Sequence, residues 1–127
     1  MPKVTVYITN HNYGPFLKQA IDSVLSQSFE DLELIIIDDG STDETSSVVN
    51  SFNDKRIIYT KINHSGLPAV ARNYGASISR ALLLAFIDDD DLWIENKLEK
   101  CLQIKLELSE QIALICSNEY LLDESGN

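Results

Sequence analysis

The chain has 127 residues, about one ordinary domain, and 44% of them are apolar, enough for a core and too many for an intrinsically disordered segment. Ten Lys and Arg against twenty Asp and Glu leave a net charge of −10, a field that repels phosphate backbones and excludes nucleic acid as a natural partner. An acidic site still accepts a small phosphorylated ligand when a divalent cation stands between the two.

No transmembrane segment is expected, because the longest apolar run, Ala81 to Ile87, is far short of the ~20 residues that cross a bilayer. Met1-Pro2-Lys3 leads straight into a strand-like run without the regions of a secretory signal, so cytoplasmic residence is the expectation. Cys101 and Cys116 lie in apolar stretches without Cys-x-x-Cys spacing and read as buried free thiols.

In chain order, Val4-Thr5-Val6-Tyr7-Ile8 predicts a strand, and Thr9 to Pro15 is a cluster of turn formers. From Phe16 the apolar residues Leu17, Ala20, Ile21, Val24 and Leu25 recur at helical spacing, and that helix ends near Gln27. Leu32 to Ile37 is nearly all apolar, as in a parallel strand covered on both faces, and stops at Asp38-Asp39-Gly40. Ser41 and Glu44 have the spacing of a capping box, opening a helix that turns Val48, Val49 and Phe52 inward. Ile57-Ile58-Tyr59 is a third strand, followed by the loop Asn63 to Pro68 and a helix from Ala69 to Ser79 with Pro68 in its first turn. Leu82 to Ile87 is a fourth strand running into Asp88-Asp89-Asp90-Asp91. Ile94, Leu98, Cys101 and Leu102 mark a fourth helix, and Ala113 to Cys116 a final strand.

This alternation predicts an α/β fold, a mostly parallel sheet with helices on both faces, in a single domain without repeats or linkers. Ligands of such sheets bind beyond the carboxyl ends of the strands, where His11-Asn12, Asp38-Asp39, His64 and the four aspartates fall. Four adjacent aspartates repel one another unless a cation relieves them. On an extended backbone Asp88 and Asp90 point to the same side, and two carboxylates with open positions for phosphate oxygens suit Mg²⁺ or Mn²⁺. The competing reading is a solvated acidic loop that caps the next helix. Of Asp38 and Asp39, one can shape the turn while the other accepts a ligand N–H or hydroxyl. His11 can stack on a base or be an ordinary loop histidine, and Arg72 can reach a phosphate or merely pair with a nearby acid. Gly-x-Gly-x-x-Gly, the Walker lysine and Gly-x-Ser-x-Gly are all absent.

Five blocks together resemble the inverting glycosyltransferases of family 2: Val4 to Asn12; Ser23-Val24-Leu25 with Gln27-Ser28-Phe29; Leu34 to Asp43; Ala71-Arg72-Asn73-Tyr74-Gly75; and Phe86 to Asp91, which fits an Asp-x-Asp metal motif. The resemblance implies a GT-A (Rossmann-like) fold and a metal-dependent transfer from a nucleotide-diphosphate sugar, with a UDP-sugar favoured. It implies that Thr9, His11 and Asp39 meet the base, with Asn12 in the same nucleotide-sugar-binding set. Arg72 contacts the nucleotide, Asp88 or Asp89 bonds the ribose, and Asp88 and Asp90 hold Mn²⁺ or Mg²⁺ between the phosphates. Thr9 stands where the family commonly has Pro, and His11 where it commonly has Tyr.

The resemblance covers essentially the whole chain, yet family members are considerably longer. It therefore implies that residues 1–127 are the nucleotide-sugar-binding portion of a truncated GT-A domain, with the acceptor half absent and the general base beyond Asn127. Glu119 and Asp123 fit no pattern of a base. The acceptor is left open as a saccharide or lipid-linked saccharide, in cell-wall or polysaccharide assembly, with the full-length protein cytoplasmic or peripheral at the inner face of a membrane. A receiver-like phosphoacceptor domain and a non-catalytic nucleotide-binding module are the alternatives; the receiver lacks the late lysine it needs.

Overall fold

The computed structural model describes residues 1–108, 113–123 and 125. It contains β1 (Val4–Asn10), α1 (Gly14–Leu25), β2 (Leu32–Asp39), α2 (Thr45–Asn50), β3 (Ile57–Ile62), α3 (Pro68–Ile78), β4 (Leu83–Asp88) and α4 (Lys97–Glu107). The strands form one four-stranded sheet in the order β3-β2-β1-β4, and each pairing is parallel. The fold is α/β, as expected.

Central β2 is buried along its whole length, which is why its sequence is almost continuously apolar. Its alternate side chains feed two cores. Leu34 and Ile36 join Val4, Val6 and Ile8 of β1 under Leu17, Ala20, Ile21 and Val24 of α1, Val49 of α2 and Leu98 of α4. Ile35 and Ile37 face the other way, onto Ala71 of α3. Helices therefore cover both faces. Gly75 lets α3 approach closely, because a Cβ there would lie 2.7 Å from Ile37 Cδ1.

The strands run on to their polar ends: in register, Thr9 stands opposite Ile37 on one side and Asp88 on the other, while Asn10 faces Asp38 and Asp38 faces Lys61. The chain leaves β1 for β2 and β3 in one direction and reaches β4 on the opposite side. That reversal between β1 and β4 opens a crevice at the carboxyl ends, the usual ligand position in such sheets.

Three local expectations are corrected. The capping box does not form. Ser41 Oγ instead accepts from Asn12 N at 2.9 Å, and Asp43 Oδ1 accepts from Thr45 N at 3.1 Å and Thr45 Oγ1 at 2.6 Å at the start of α2. A partner from a distant loop took the hydroxyl that local spacing had assigned to the helix. Next, the aspartate run is not extended: Asp91 N donates to Asp88 O at 3.1 Å, closing a turn, so strand alternation does not place Asp88 and Asp90 on one side. Finally, Ala113 to Cys116 is not a strand. It lines an apolar groove with Leu82 to Phe86, Trp93, Leu98, Cys101 and Leu102, where Ile115 is half-buried and Ala113, Leu114 and Cys116 stay exposed. Cys101 is half-buried and Cys116 exposed, so the expectation of two buried thiols fails. Among the described residues no helix is long and apolar enough to cross a membrane.

Candidate functional site

The loop after β1 is built on Asn12, whose φ of 56° is tolerated by few side chains other than asparagine. Its Oδ1 accepts from Thr42 N at 2.7 Å and Asp43 N at 3.3 Å, which ties this loop to the one after β2. Gly14 N donates to Asp43 Oδ2 at 2.9 Å, a second tie at the start of α1. Asn10 sits between the Ser41 and Thr45 hydroxyls, 3.2 and 2.9 Å away, with Asp89 Oδ2 2.9 Å from the other end of its amide.

The two carboxylates ending β2 divide their labour. Asp38 is fully buried and shapes the turn: Oδ1 accepts from Ser41 N at 2.7 Å, and Oδ2 from the Tyr59 hydroxyl at 2.6 Å. Burial and this bond push the Tyr59 phenol up to about 12. Asp39 lines the crevice and holds the loop after β3, accepting from Ser65 N at 2.7 Å and Gly66 N at 3.2 Å. Burial acts to raise the Asp39 carboxyl, but the bonds from Ser65 and Gly66 and the nearby His64 outweigh it and hold the group below its ordinary range.

Gly40, with φ of 72°, makes this loop contact possible, since a Cβ there would lie 2.8 to 3.0 Å from the Cβ, N and Cα of His64. His64 stacks on His11 with ring centroids 4.1 Å apart, and the Nδ1 atoms of both lie close to Asp39 O, at 2.9 and 2.7 Å.

On the β4 side, Arg72 Nη2 donates to Asp88 Oδ1 at 2.8 Å while its guanidinium lies 5.1 Å from the Phe86 ring centre. Arg72 Nε is buried without a hydrogen-bond partner among the described residues. Burial first, then the charges of Asp90 and Asp88, push the Asp89 carboxyl up to about 6. Burial with Asp88 and Asp90 also raises Asp91.

These groups enclose a cavity of about 320 Å³ lined by Thr9, His11, Asp39, Arg72, Asp88 and Asp89, with Asn10, Tyr13, His64, Gly66, Pro68 and Ala71 completing its wall. Six of the expected site residues thus meet in one place, although they come from four segments of the chain. Asn12 and Asp90 do not line this cavity; Asn12 spends its side chain on the loop tie, and Asp90 stands exposed at the turn beside it. His64 was visible only as a polar residue at a strand end, and nothing in its spacing revealed that it would stack on a histidine 53 positions earlier. Tyr13 and Asn10 were hidden among the turn formers.

Residues 5–120 match the family described as Glycosyl transferase family 2. The chain is similar to the UDP-Glc:alpha-D-GlcNAc-diphosphoundecaprenol beta-1,3-glucosyltransferase WfaP of Escherichia coli, at 35% identity over 121 residues, covering 95% of this chain and 47% of that protein. Its fold resembles S. aureus TarS 1-349 in complex with UDP, with a TM-score of 0.78 and 24% identity over 83% of this chain and 32% of that one. It also resembles the mannosyltransferase PcManGT from Pyrobaculum calidifontis in complex with GDP-Man and Mn²⁺, with a TM-score of 0.67 and 26% identity over 72% of this chain and 28% of that one. The chain spans about half the length of the curated relatives it matches. With the family pattern extending over nearly all of its length, and its fold shared with solved transferases, the chain belongs to glycosyl transferase family 2.

Proposed function

We propose that this chain is the donor-binding portion of a glycosyltransferase, taking a nucleoside-diphosphate sugar, in first place a UDP-sugar, with the help of Mn²⁺ or Mg²⁺. The observation that carries the reading is the convergence of Thr9, His11, Asp39, Arg72, Asp88 and Asp89 on one cavity at the strand ends. Family membership supports it, and so does the WfaP relative, whose name records a UDP-glucose donor.

In this reading the base lies against the stacked His11 ring with Asp39 beneath it, and Asp88 and Asp89 face the ribose. Arg72 lines the cavity with a partly exposed guanidinium that can meet an anion, and Asp88 and Phe86 already orient it, its buried Nε left unpartnered among the described residues. Asp88 and Asp90 would hold the cation. The donor set fits a hard divalent ion, because it is all carboxylate oxygen, and Asp89 and Asp91, raised first by burial and then by the charges of Asp88 and Asp90, carry a repulsion that such an ion relieves. When bound, the metal supplies charge stabilisation to the departing nucleoside diphosphate. The protein's own part is to orient the nucleotide and line the cavity with fixed dipoles. Inversion at the sugar carbon, the acceptor, the general base, a role in cell-wall or polysaccharide assembly and residence on the cytoplasmic side belong to the same proposal for the whole protein. The receiver alternative is set aside by the family match.

Calorimetric titration of UDP, GDP, CDP and dTDP, with and without Mn²⁺, tests this on the chain and on Asp90→Ala. Metal-dependent binding of one nucleotide, weakened about tenfold or more in the variant, is expected. A folded chain that binds none of the four refutes the reading.

A further inference from the structure

The carboxylates at the end of β4 offer only oxygen, whereas the opposite wall of the cavity offers nitrogen. His11 Nδ1 and His64 Nδ1 lie 2.7 and 2.9 Å from a single atom, the carbonyl oxygen of Asp39, and His64 Nδ1 lies 3.1 Å from Asp39 Oδ2. Among the described residues, His11, Asp39 and His64 are the one group of three His, Cys or acidic side chains whose ligand atoms all lie within 4.8 Å of one another. They come from two loops and the end of β2, and the fold holds all three: Asp39 by Ser65 N and Gly66 N, His11 beside the Asn12 tie, and His64 against Gly40.

Two imidazoles whose Nδ1 atoms converge on one carbonyl can instead turn those atoms to a single divalent ion, each neutral ring then carrying its proton on Nε2. A tetrahedral ion with bonds of about 2.0–2.1 Å holds its ligand atoms roughly 3.3 Å apart. Between the proposed ligand atoms, His64 Nδ1 and Asp39 Oδ2 stand 3.1 Å apart, close to that spacing, and all three lie within 4.8 Å of one another, so small movements of the rings suffice to admit an ion. His11 Nε2, 3.2 Å from Asn12 Nδ2, is exposed and can exchange that contact for water.

We propose that His11, His64 and Asp39 form a second cation site, suited to Zn²⁺, Ni²⁺ or Cu²⁺ rather than Mg²⁺. Imidazole nitrogen with one carboxylate suits such borderline ions, whereas Mg²⁺ prefers oxygen and water. The Asp88 to Asp91 cluster and this one therefore sort ions by donor type although they border one cavity. An ion held here occupies the wall assigned to the base, so it excludes the nucleotide; this consequence alone rests on the donor-site reading.

The test is calorimetric titration with Zn²⁺ alone, alongside NMR of the histidine ring nitrogens. One Zn²⁺ per chain is expected, shifting the His11 and His64 rings. Affinity should fall about tenfold or more in His11→Ala and in His64→Ala, both exposed enough to leave the fold intact. It should be unchanged in Asp88→Ala/Asp90→Ala and in Cys101→Ser/Cys116→Ser, the other sets of acidic or thiol ligands. Equal affinity in the histidine variants, or loss in either of the other two, overturns the site. A nucleoside diphosphate that binds without Zn²⁺ should be displaced by it. If none binds, the donor reading fails while the Zn²⁺ titration still decides the site.

Discussion

Replacing Gly40 by alanine should destabilise the chain far more than the same change at Gly66, although both glycines have positive φ, 72° and 69°. The backbone cost is shared: an L side chain in the left-handed region costs about 1–2 kcal/mol. The surroundings differ. A Cβ on Gly66 would have its nearest non-adjacent neighbour in His64 Nε2 at 3.7 Å, an ordinary contact, whereas one on Gly40 meets His64 Cβ at 2.8 Å, N at 2.9 Å and Cα at 3.0 Å. Two of those atoms are backbone, so no rotamer change relieves them. The loop after β3 must retreat by roughly half an ångström, which in a packed structure costs about 1–3 kcal/mol more. Such a retreat also strains the Ser65 and Gly66 bonds to Asp39, at 2.7 and 3.2 Å. Urea unfolding of both variants and the parent measures the difference directly. The Gly40→Ala midpoint should fall below that of Gly66→Ala by roughly 1 M. Equal midpoints would refute the claim that the close approach of His64, rather than turn conformation alone, makes Gly40 necessary.

Three further outcomes follow from contacts elsewhere in the fold. Glu33 is 2% exposed and accepts from Thr5 Oγ1 at 2.6 Å, Arg80 N at 2.8 Å and Arg80 Nε at 2.6 Å. Burial acts to raise its carboxyl, but those bonds hold it below the ordinary 4.5. Its contribution to stability is therefore complete above that value and lost as pH falls through the lower, folded-state one, so Glu33→Gln should flatten the acid limb of thermal midpoint against pH. Gln27→Ala should cost about 2–3 kcal/mol in chemical unfolding, because Nε2 donates to Ile94 O at 2.7 Å and Ser23 O at 3.1 Å while Oε1 accepts from Leu98 N at 3.0 Å. Arg72→Lys should weaken nucleoside-diphosphate binding about tenfold in calorimetry without lowering the unfolding midpoint, since an ammonium reproduces neither the planar donor set, whose Nη2 is held by Asp88, nor the face on Phe86, and that exposed pair adds little stability.

The strands were legible in the sequence because burial on both faces leaves an unbroken apolar signature, clearest in Leu32 to Ile37. The gathering of polar clusters at strand ends followed from the same logic, since a parallel sheet must put every carboxyl end on one side. Local chemistry was read less well wherever a distant residue could compete. Ser41 had the spacing of a helix cap, but Asn12 N, 29 positions earlier, took its oxygen. The aspartates after Ile87 looked extended because the strand before them is, yet the ladder ends at Asp88 and a turn begins there. Ala113 to Cys116 had the composition of a strand, but composition reports only a demand for burial, and here Ala113, Leu114 and Cys116 are left exposed beside an apolar groove. His64 shows the same limit in the site: its contacts to Asp39 and His11 are set by the juxtaposition of β2 and β3, which no local pattern encodes.

Asn12 illustrates how a residue outside the lining of the cavity can still set its shape. Its side chain bonds Thr42 and Asp43, and its amide N–H bonds Ser41, so the loops after β1 and β2 move as one unit. Asp39 then binds the loop after β3 into the same unit through Ser65 and Gly66. Three loops are thereby fixed by hydrogen bonds between side chains and backbone rather than by apolar packing, which leaves the cavity wall polar and still rigid. A wall of that kind does not have to reorganise when a charged ligand arrives, and the orientation of its dipoles is settled at folding. The β4 side is different in kind: Arg72 and Asp88 are each about half exposed, with side-chain exposures of 40% and 46%, and their pairing is open to exchange with a ligand. The crevice thus sets a fixed wall of histidines and backbone against an adjustable wall of charge, and it is on the adjustable wall that a phosphate and its cation would find their partners.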